Sequence, residues 1–408
     1  MNISSKDLER LRALAAEQSE LAHSPAMDAL RADWEKHGRF AADSRPMVTM
    51  ELWTFADDIL PPLMQCEGED ARRLERMLLS NIVNHTLFHD DTIVRDYLPV
   101  SPSTSFTAFG LPPKVEHSDG LGHHFVPQIE DLEAEFDKLK ASEFSVDVAS
   151  AQRRADELNE LFGDILPARV SGAALSCSPM GDIVRIMAMD NMYVAMYDYP
   201  ELFHKMLGQL ADDYCAFFDL MERSGAIMPT LGDTHLNQGT YCFTDELSDT
   251  ARTTRDVWGY IDSQETSGVS PRMYAELVFP HYRTIIERYG LLSYGCCEAT
   301  NGIWDSCLST LPNLRKVSIS PWCDEPFMGE RLRGKRVVYL RKPTPNLLGV
   351  GDVLDEDEVR RHFSATVEAA RGCTLEIAQR DVYRVSKSPE KVRRYVEIIR
   401  ECLDKHQK

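Results

Sequence analysis

The sequence predicts an α/β fold, a (β/α)8 TIM barrel preceded by a helical N-terminal extension. From about residue 93, roughly eight short runs with strand character alternate with stretches of helical periodicity. Such alternation implies parallel strands joined by helical crossovers, and eight units favour a closed barrel over an open sheet. The chain contains no dinucleotide-binding glycine fingerprint and no phosphate-loop motif. We therefore expect a helical extension with one short strand over residues 1–92 and the barrel over residues 93–408.

The composition is that of a globular protein with enough apolar residues for a large core. The 408 residues are 43% hydrophobic and 27% charged, and the net charge is -20. An acidic chain is a poor partner for nucleic acid or an anionic membrane, so we expect neither. No apolar run approaches the ~20 residues that span a bilayer. The N-terminus has no signal-peptide pattern and the ten cysteines are scattered, which predicts free thiols in a reducing cytoplasm.

In the extension, residues 1 to about 43 and residues 69–90 have apolar side chains at helical spacing. Between them, RPMVTMELW (residues 45–53) predicts a short extended segment opened by proline. The barrel is predicted to begin with a turn and a strand within residues 89–101. An irregular section follows at residues 109–129, and loops of that length within a compact domain are usually functional.

Further strands and helices then alternate to the end of the chain. Strands are predicted within residues 167–177, 226–233, 256–263, 291–298, 313–324, 335–342 and 373–381. Helices are predicted at residues 200–225, 270–290, 304–311, near Glu330, at 355–371 and from Ser388.

Polar residues gather where the predicted strands end. In TIM barrels the chemistry lies on the loops at this carboxyl face, so such residues are the candidates for function. The strand exits offer Asp233, His235, Asp262, Gln264, Glu265, Tyr294, Cys296, Glu298, Cys323, Arg341, Lys342, Gln379, Arg380 and Asp381.

The segment LLSYGCCEATNGIW, residues 291–304, is the most informative of these exits. If the strand continues through it, Tyr294, Cys296 and Glu298 share one face and Cys297 points toward the helices. Zinc takes thiolate, imidazole and carboxylate ligands, and a catalytic site leaves one position open. Cys296, Glu298, His235 and Cys323 are candidates for such a set. The alternative for each cysteine is a buried thiol that packs as a small hydrophobe.

Several segments resemble, in order, the uroporphyrinogen decarboxylase superfamily. They are YDYPELFHKMLGQLADDYCAFF (197–218), GVSPRMYAELVFPHYRTII (268–286) followed by LLSYGCCE, VSISPW (317–322) and SPEKVRRYVEII (388–399). The likeness covers roughly residues 93–400 and implies the barrel fold. The superfamily contains decarboxylases that work without metal or cofactor, using arginines and an aspartate. It also contains methyltransferases with a zinc held partly by a His-x-Cys motif, whose zinc-bound thiol accepts a methyl group from a methyl-corrinoid protein.

The chain departs from both patterns. Glu51 stands where the decarboxylases carry an arginine, although a substrate with many carboxylates requires basic side chains. Against the methyltransferases, Cys296 matches the motif's cysteine, but Tyr294 replaces the histidine. The late cysteine of that branch is also missing, and Gln379 and Asp381 occupy its region. The comparison therefore favours the methyltransferase branch with an altered ligand set.

The favoured prediction is a methyltransferase-like enzyme with a small-molecule substrate, a methyl-corrinoid carried by a partner protein, and zinc. Cys296 would bind the metal with Glu298 and His235, and Asp381 or Cys323 would be a fourth ligand. Asp233, Asp262, Glu265 and Tyr294 are the candidates for proton transfer or substrate orientation. Gln264, Arg341, Lys342, Gln379 and Arg380 are the predicted substrate-binding residues.

Two other functions stay open. A metal-free carboxy-lyase would use Arg341, Lys342 and Arg380 to bind substrate carboxylates. A non-catalytic barrel would bind a corrinoid or tetrapyrrole as a carrier. The sequence also leaves a homodimer open.

Overall fold

The computed structural model describes residues 2–117 and 123–406, so the centre of the predicted irregular section lies outside the described residues. The strands are β1 Met47–Met50, β2 Leu98–Val100, β3 Ser103–Thr107, β4 Lys114–His117, β5 His123–Val126, β6 Glu143–Asp147, β7 Ala168–Val170, β8 Leu175–Cys177, β9 His235–Leu236, β10 Thr240–Tyr241, β11 Trp258–Ile261, β12 Leu291–Tyr294, β13 Leu314–Ile319, β14 Val338–Arg341 and β15 Leu375–Gln379.

The helices alternate with these strands in the second half of the chain. They are α1 Ser5–Ala22, α2 Pro25–Gly38, α3 Ala56–Ile59, α4 Glu69–Val83, α5 Leu132–Glu135, α6 Val148–Phe162, α7 Pro179–Met187, α8 Met189–Asp198, α9 Pro200–Ser224, α10 Pro271–Met273, α11 Phe279–Ile286, α12 Asn301–Trp304, α13 Glu325–Leu332, α14 Asn346–Gly349, α15 Glu356–Ala369 and α16 Pro389–His406. No helix in the described ranges is both long and apolar enough to cross a membrane.

The central sheet is parallel and confirms the predicted TIM-barrel-like α/β fold. Across the described residues its order is β1-β15-β14-β13-β12-β11-β8, with seven hydrogen-bonded strands. Strands β11 to β15 are neighbours in space as they are in sequence, and β1 lies beside the last strand, β15. Helices separate most of the consecutive strands, as parallel pairing requires. The carboxyl ends of all seven strands therefore open on one face.

The strands differ from the prediction at two places. The predicted strand at 167–177 is divided, because β7 pairs with β2 whereas β8 pairs with β11 in the central sheet. Residues 226–233, predicted as a strand, form turns and irregular backbone. Periodicity indicated extended backbone here, but it carries no information about which strand is the partner.

The central sheet does not begin at residue 93, where the barrel was predicted to start. Strand β1, in the segment predicted as an extension, pairs with β15 from Met47 opposite Glu376 to Met50 opposite Gln379. The short strand of RPMVTMELW is thus part of the sheet. The irregular section also contains structure, since β4 and β5 pair antiparallel within it.

Helix α2 packs a polar residue against the inside of the sheet. It begins after Ser24, whose side chain accepts a hydrogen bond from the Met27 backbone, a common N-terminal cap. Near its end His37 contacts Glu376 on β15, with 3.1 Å between Nε2 and Oε1. Lys316 on β13 also reaches Glu376, with Nζ 2.6 Å from Oε1. This buried ion pair joins two barrel strands and the N-terminal helices.

Candidate active site

Strand β12 ends at Tyr294, so the predicted alternation does not reach Cys296. Gly295 has φ of +96°, a left-handed conformation that a side chain disfavours, and the chain turns there. The Sγ atoms of Cys296 and Cys297 consequently lie 3.5 Å apart. The prediction that the two cysteines point to opposite faces is therefore wrong. Extended geometry fails here because the strand stops one residue before the cysteine pair.

The Cys296 thiol is buried between two cationic side chains at this end of the barrel. Arg380 donates from Nη1 to Sγ over 3.2 Å. A hydrogen bond from Cys297 holds the pKa of Cys296 well below its usual value, and the charges of Lys342 and Arg380 lower it further, against the effect of burial. The thiolate is therefore the favoured form of Cys296 at neutral pH.

The two cations are held in place by residues from distant parts of the chain. Arg380 donates from Nε to Glu51 Oε2 over 2.9 Å, and from Nη1 to the side-chain oxygen of Gln238. Lys342 donates to the same Gln238 oxygen and, over 3.1 Å, to the backbone carbonyl of Gly295. Burial lowers the pKa of Lys342, and the negative charge of Cys296 opposes that shift. No local pattern pointed to Gln238, which lies in the β9–β10 hairpin turn.

Three buried carboxyl groups lie close to this thiol. Asp262 accepts hydrogen bonds from Ser178 Oγ and Tyr260 OH, both over 2.7 Å. Glu298 accepts from the backbone N–H groups of Ser263 at 3.0 Å and Cys296 at 2.8 Å. Burial raises the pKa of Glu298, and the charge of Asp262 raises it further. These acids follow β11 and β12, as predicted for the strand exits.

Glu265 is the third of these carboxyls and has few partners. Burial raises its pKa to about 7, with the charges of Asp262 and Cys296 contributing in the same direction. The Oε2 atom is buried and has no hydrogen-bond partner among the described residues. Gln264 donates weakly to Oε1, over 3.4 Å. Perturbed carboxyl groups of this kind are candidates for proton transfer.

The predicted zinc ligands do not form a metal site. His235 is exposed and stacks on Tyr241, with 4.8 Å between ring centroids. The Cys323 Sγ lies 3.4 Å from Thr300 Oγ1. Asp381 faces Arg380 instead, with 3.7 Å between their charged atoms. Within residues 2–117 and 123–406, no group of three or more His, Cys, Asp or Glu side chains is arranged to hold a metal ion. The donor set therefore does not fit zinc. The positive charges near the Cys296 thiol are those of Arg380 and Lys342.

Arg341 is directed away from the thiol and into the helical layer. It donates to the backbone carbonyls of Ile319 and Ser320 over 2.9 and 2.8 Å. It also forms a 2.7 Å ion pair with Glu325 on α13 and contacts His362 on α15 over 3.3 Å. Its neighbour Lys342 points to the barrel mouth. Strand alternation therefore separates two predicted substrate-binding residues.

Other predicted site residues have structural partners. Tyr294 OH lies 2.7 Å from Tyr274 OH in the core. The amide oxygen of Gln379 accepts from Tyr395 OH over 2.5 Å. Asp233 accepts from Tyr97 OH over 3.1 Å and pairs with Arg95. The polar atoms of these three residues therefore have partners outside the site. The predicted residues that the structure brings together in one cluster are Asp262, Glu265, Cys296, Glu298, Lys342 and Arg380.

A cavity of about 400 Å³ adjoins this cluster. Glu51 and Gln238, the residues that hold Arg380, both line it. His235 and Tyr241 lie on its wall, and Trp53, which is largely exposed, also lines it. Size and polarity suit a small molecule. The cavity therefore reaches the residues that hold Arg380.

No protein-family model matches the chain, and no curated protein matches its sequence at a significant level. The solved structures that match it include a methyltransferase from Methanosarcina mazei. The two are 10% identical with a TM-score of 0.51, and the match covers 93% of this chain and 99% of that one. At this identity the likeness shows a shared fold over nearly the full length of both chains.

Proposed function

We propose that this chain is a methyltransferase-like enzyme that moves a methyl group between a small molecule and the corrinoid of a partner protein. In this proposal the Cys296 thiolate is the nucleophile. The observation that carries it is the placement of Cys296 Sγ, 3.2 Å from Arg380 and under the charge of Lys342, at the carboxyl end of β12.

Two further findings support the proposal. The fold is shared with a methyltransferase over 93% of the chain. Cys296 also stands where the resemblance to the corrinoid-linked methyltransferases implies the methyl-handling centre. In those relatives the resemblance implies that a metal makes a thiol anionic. Here the hydrogen bond from Cys297 and the charges of Lys342 and Arg380 favour the thiolate of Cys296 itself, so zinc is not part of the proposal.

The chemistry requires only the thiolate and a proton source. The Sγ lone pair attacks the methyl carbon of the donor, and the bond from carbon to the donor's heteroatom breaks with its electron pair moving to that atom. Cys296 then gives the methyl group to the cobalt(I) form of the partner's corrinoid, and the electron pair of the C–S bond returns to Sγ. Thiolates are the reactive form of cysteine, and burial beside fixed cations favours that form.

A carboxy-lyase function is less well supported, because the cationic side chains that would bind a substrate carboxylate already have partners within the protein. Arg380 is paired with Glu51, and Lys342 is bonded to Gln238 and Gly295. Arg341, the third predicted carboxylate-binding residue, is bonded to Glu325 in the helical layer. A substrate carboxylate needs at least one available cation or donor fork. The arrangement therefore favours an uncharged substrate.

The proposal is tested with free methylcobalamin, which presents the second step in reverse. Anaerobic incubation with the protein is expected to demethylate methylcobalamin, because Cys296 attacks the cobalt-bound methyl group. The loss of methylcobalamin is measured by absorbance. Cys296→Ser should abolish the reaction, whereas Cys297→Ser should retain measurable demethylation. Binding of methylcobalamin without demethylation by any variant would contradict the proposal and favour the non-catalytic carrier.

A further inference from the structure

Glu265 is the one member of the acid cluster whose carboxyl group lacks strong donors. Its Oε2 is buried with no partner in the described part of the chain, and the residue is only 9% exposed. Leaving a buried polar atom unsatisfied costs about 1–3 kcal/mol. An acid kept in this condition beside a reactive group is a candidate to exchange a proton with a ligand.

Asp262 provides the contrast. It receives hydroxyl donors from Ser178 and Tyr260, one on each oxygen, so both of its oxygens have partners. Glu265 receives a weak contact from Gln264 on Oε1, while its Oε2 has no partner among the described residues. A carboxyl group with a buried, unsatisfied oxygen is the better candidate to contact a ligand, whereas one with a donor on each oxygen is held by the surrounding structure. Burial favours the protonated form of Glu265.

The backbone beside Glu265 leaves room for its side chain. Gly181 lies in the first turn of α7, and a Cβ added there would lie 3.2 Å from Glu265 Oε1 and 2.6 Å from Ser178 Oγ. A larger residue would thus displace both the acid and the serine that donates to Asp262. The glycine at position 181 therefore leaves the space that Glu265 and Ser178 occupy.

We propose that Glu265 donates a proton to the atom from which Cys296 takes the methyl group. The substrate is then an uncharged methyl donor, such as a methyl ether, whose heteroatom would otherwise leave as a strong base. As the carbon–oxygen bond breaks, its electron pair moves to oxygen, the proton passes from Glu265 to that oxygen, and Glu265 is left as a carboxylate that solvent reprotonates. This inference rests on the proposed function and names the class of its substrate.

The test compares two methyl donors. Methoxybenzene releases a basic oxygen and needs the proton, whereas trimethylsulfonium releases neutral dimethyl sulfide and does not. Formation of S-methylcysteine at position 296 is measured by peptide mass for the unmodified protein, Glu265→Gln and the control Glu276→Gln, an exposed residue. Glu265→Gln should slow transfer from methoxybenzene by about 10²-fold. Its transfer from trimethylsulfonium, and both rates of the control, should stay within about twofold.

Equal losses with both donors, or no loss with methoxybenzene, would overturn the role of Glu265. If neither donor methylates Cys296 in the unmodified protein, the proposed function has failed. Infrared spectroscopy then tests separately whether Glu265 holds a proton. A protonated carboxyl band at mildly acidic pH that disappears in Glu265→Gln supports a held proton. The same spectrum in both proteins overturns it.

Discussion

Arg380 Nη1 lies 3.2 Å from Cys296 Sγ, although the two residues leave different strands and are 84 positions apart in the chain. The contact exists because β12 and β15 open on the same face of the barrel. It places a permanent positive charge against a buried thiol. Such a charge stabilises the thiolate form in a site of low polarity.

Replacing Arg380 by methionine is expected to raise the pKa of Cys296 and slow its alkylation at neutral pH. The rate is followed with iodoacetamide by mass spectrometry of the peptide that contains Cys296, across a range of pH. Arg361→Met, an exposed arginine, is the matched control and should leave the rate unchanged. An unchanged pH profile in Arg380→Met would show that this contact does not hold the thiolate.

Glu265 should make stability depend on pH in a defined direction. Its pKa is about 7 in the folded protein against 4.5 for an ordinary glutamate, so the folded state binds the proton more tightly. Protonation of Glu265 stabilises the folded state fully below the ordinary pKa of 4.5. This stabilisation is lost as the pH rises through about 7. Relative to Glu265→Gln, the free energy of unfolding should fall by up to about 3 kcal/mol over this window.

The measurement is urea unfolding of both proteins at several pH values. Asp262 and Cys296, whose charges act on Glu265, are present in both proteins, so their contributions largely cancel in the difference. A difference that does not change with pH, or that grows in favour of the unmodified protein as the pH rises, would contradict the raised pKa.

The ion pair inside the barrel should matter more to stability than any surface pair. Lys316→Met would leave Glu376 buried without its cation, and breaking one partner of such a pair costs about 3–5 kcal/mol. The free energy of unfolding from denaturant titration measures the loss. Arg272→Met, which breaks an exposed pair with Glu276, should change it by about 0.5 kcal/mol or less. Equal effects would mean that Lys316 and Glu376 are solvated.

Removing metal ions should leave the thiol unaffected. Because the donor set around Cys296 does not fit zinc, dialysis against a chelator is expected to change neither the alkylation rate of Cys296 nor the demethylation of methylcobalamin. The metal content of the unmodified protein and of Cys296→Ser should also be equal. About one zinc per chain that is lost in Cys296→Ser would contradict this expectation.

Local patterns were sufficient to predict the fold and to single out the carboxyl ends of its strands. The alternation of short apolar runs with helical periods predicted β11 to β15 at nearly their observed positions. Because parallel strands share a carboxyl face, it also directed attention to Asp262, Cys296, Glu298, Lys342 and Arg380 at their ends. These inferences need only spacing and residue type.

The remaining features depend on contacts that local spacing does not encode. Glu51 meets Arg380 because β1 closes on β15, a pairing between opposite ends of the chain. The cysteine pair faces one way because Gly295 ends the strand with a positive φ. Arg341 points away from the thiol because it forms an ion pair with Glu325, which lies on α13.

The most direct test of the account is whether Cys296 carries the methyl group. The protein is incubated with methylcobalamin bearing an isotopically labelled methyl group, digested, and its cysteine peptides are compared by mass. The account predicts label on Cys296 and little on the nine other cysteines, with the label lost in Cys296→Ser and strongly reduced in Arg380→Met. Demethylation of methylcobalamin with no label on Cys296 would contradict it.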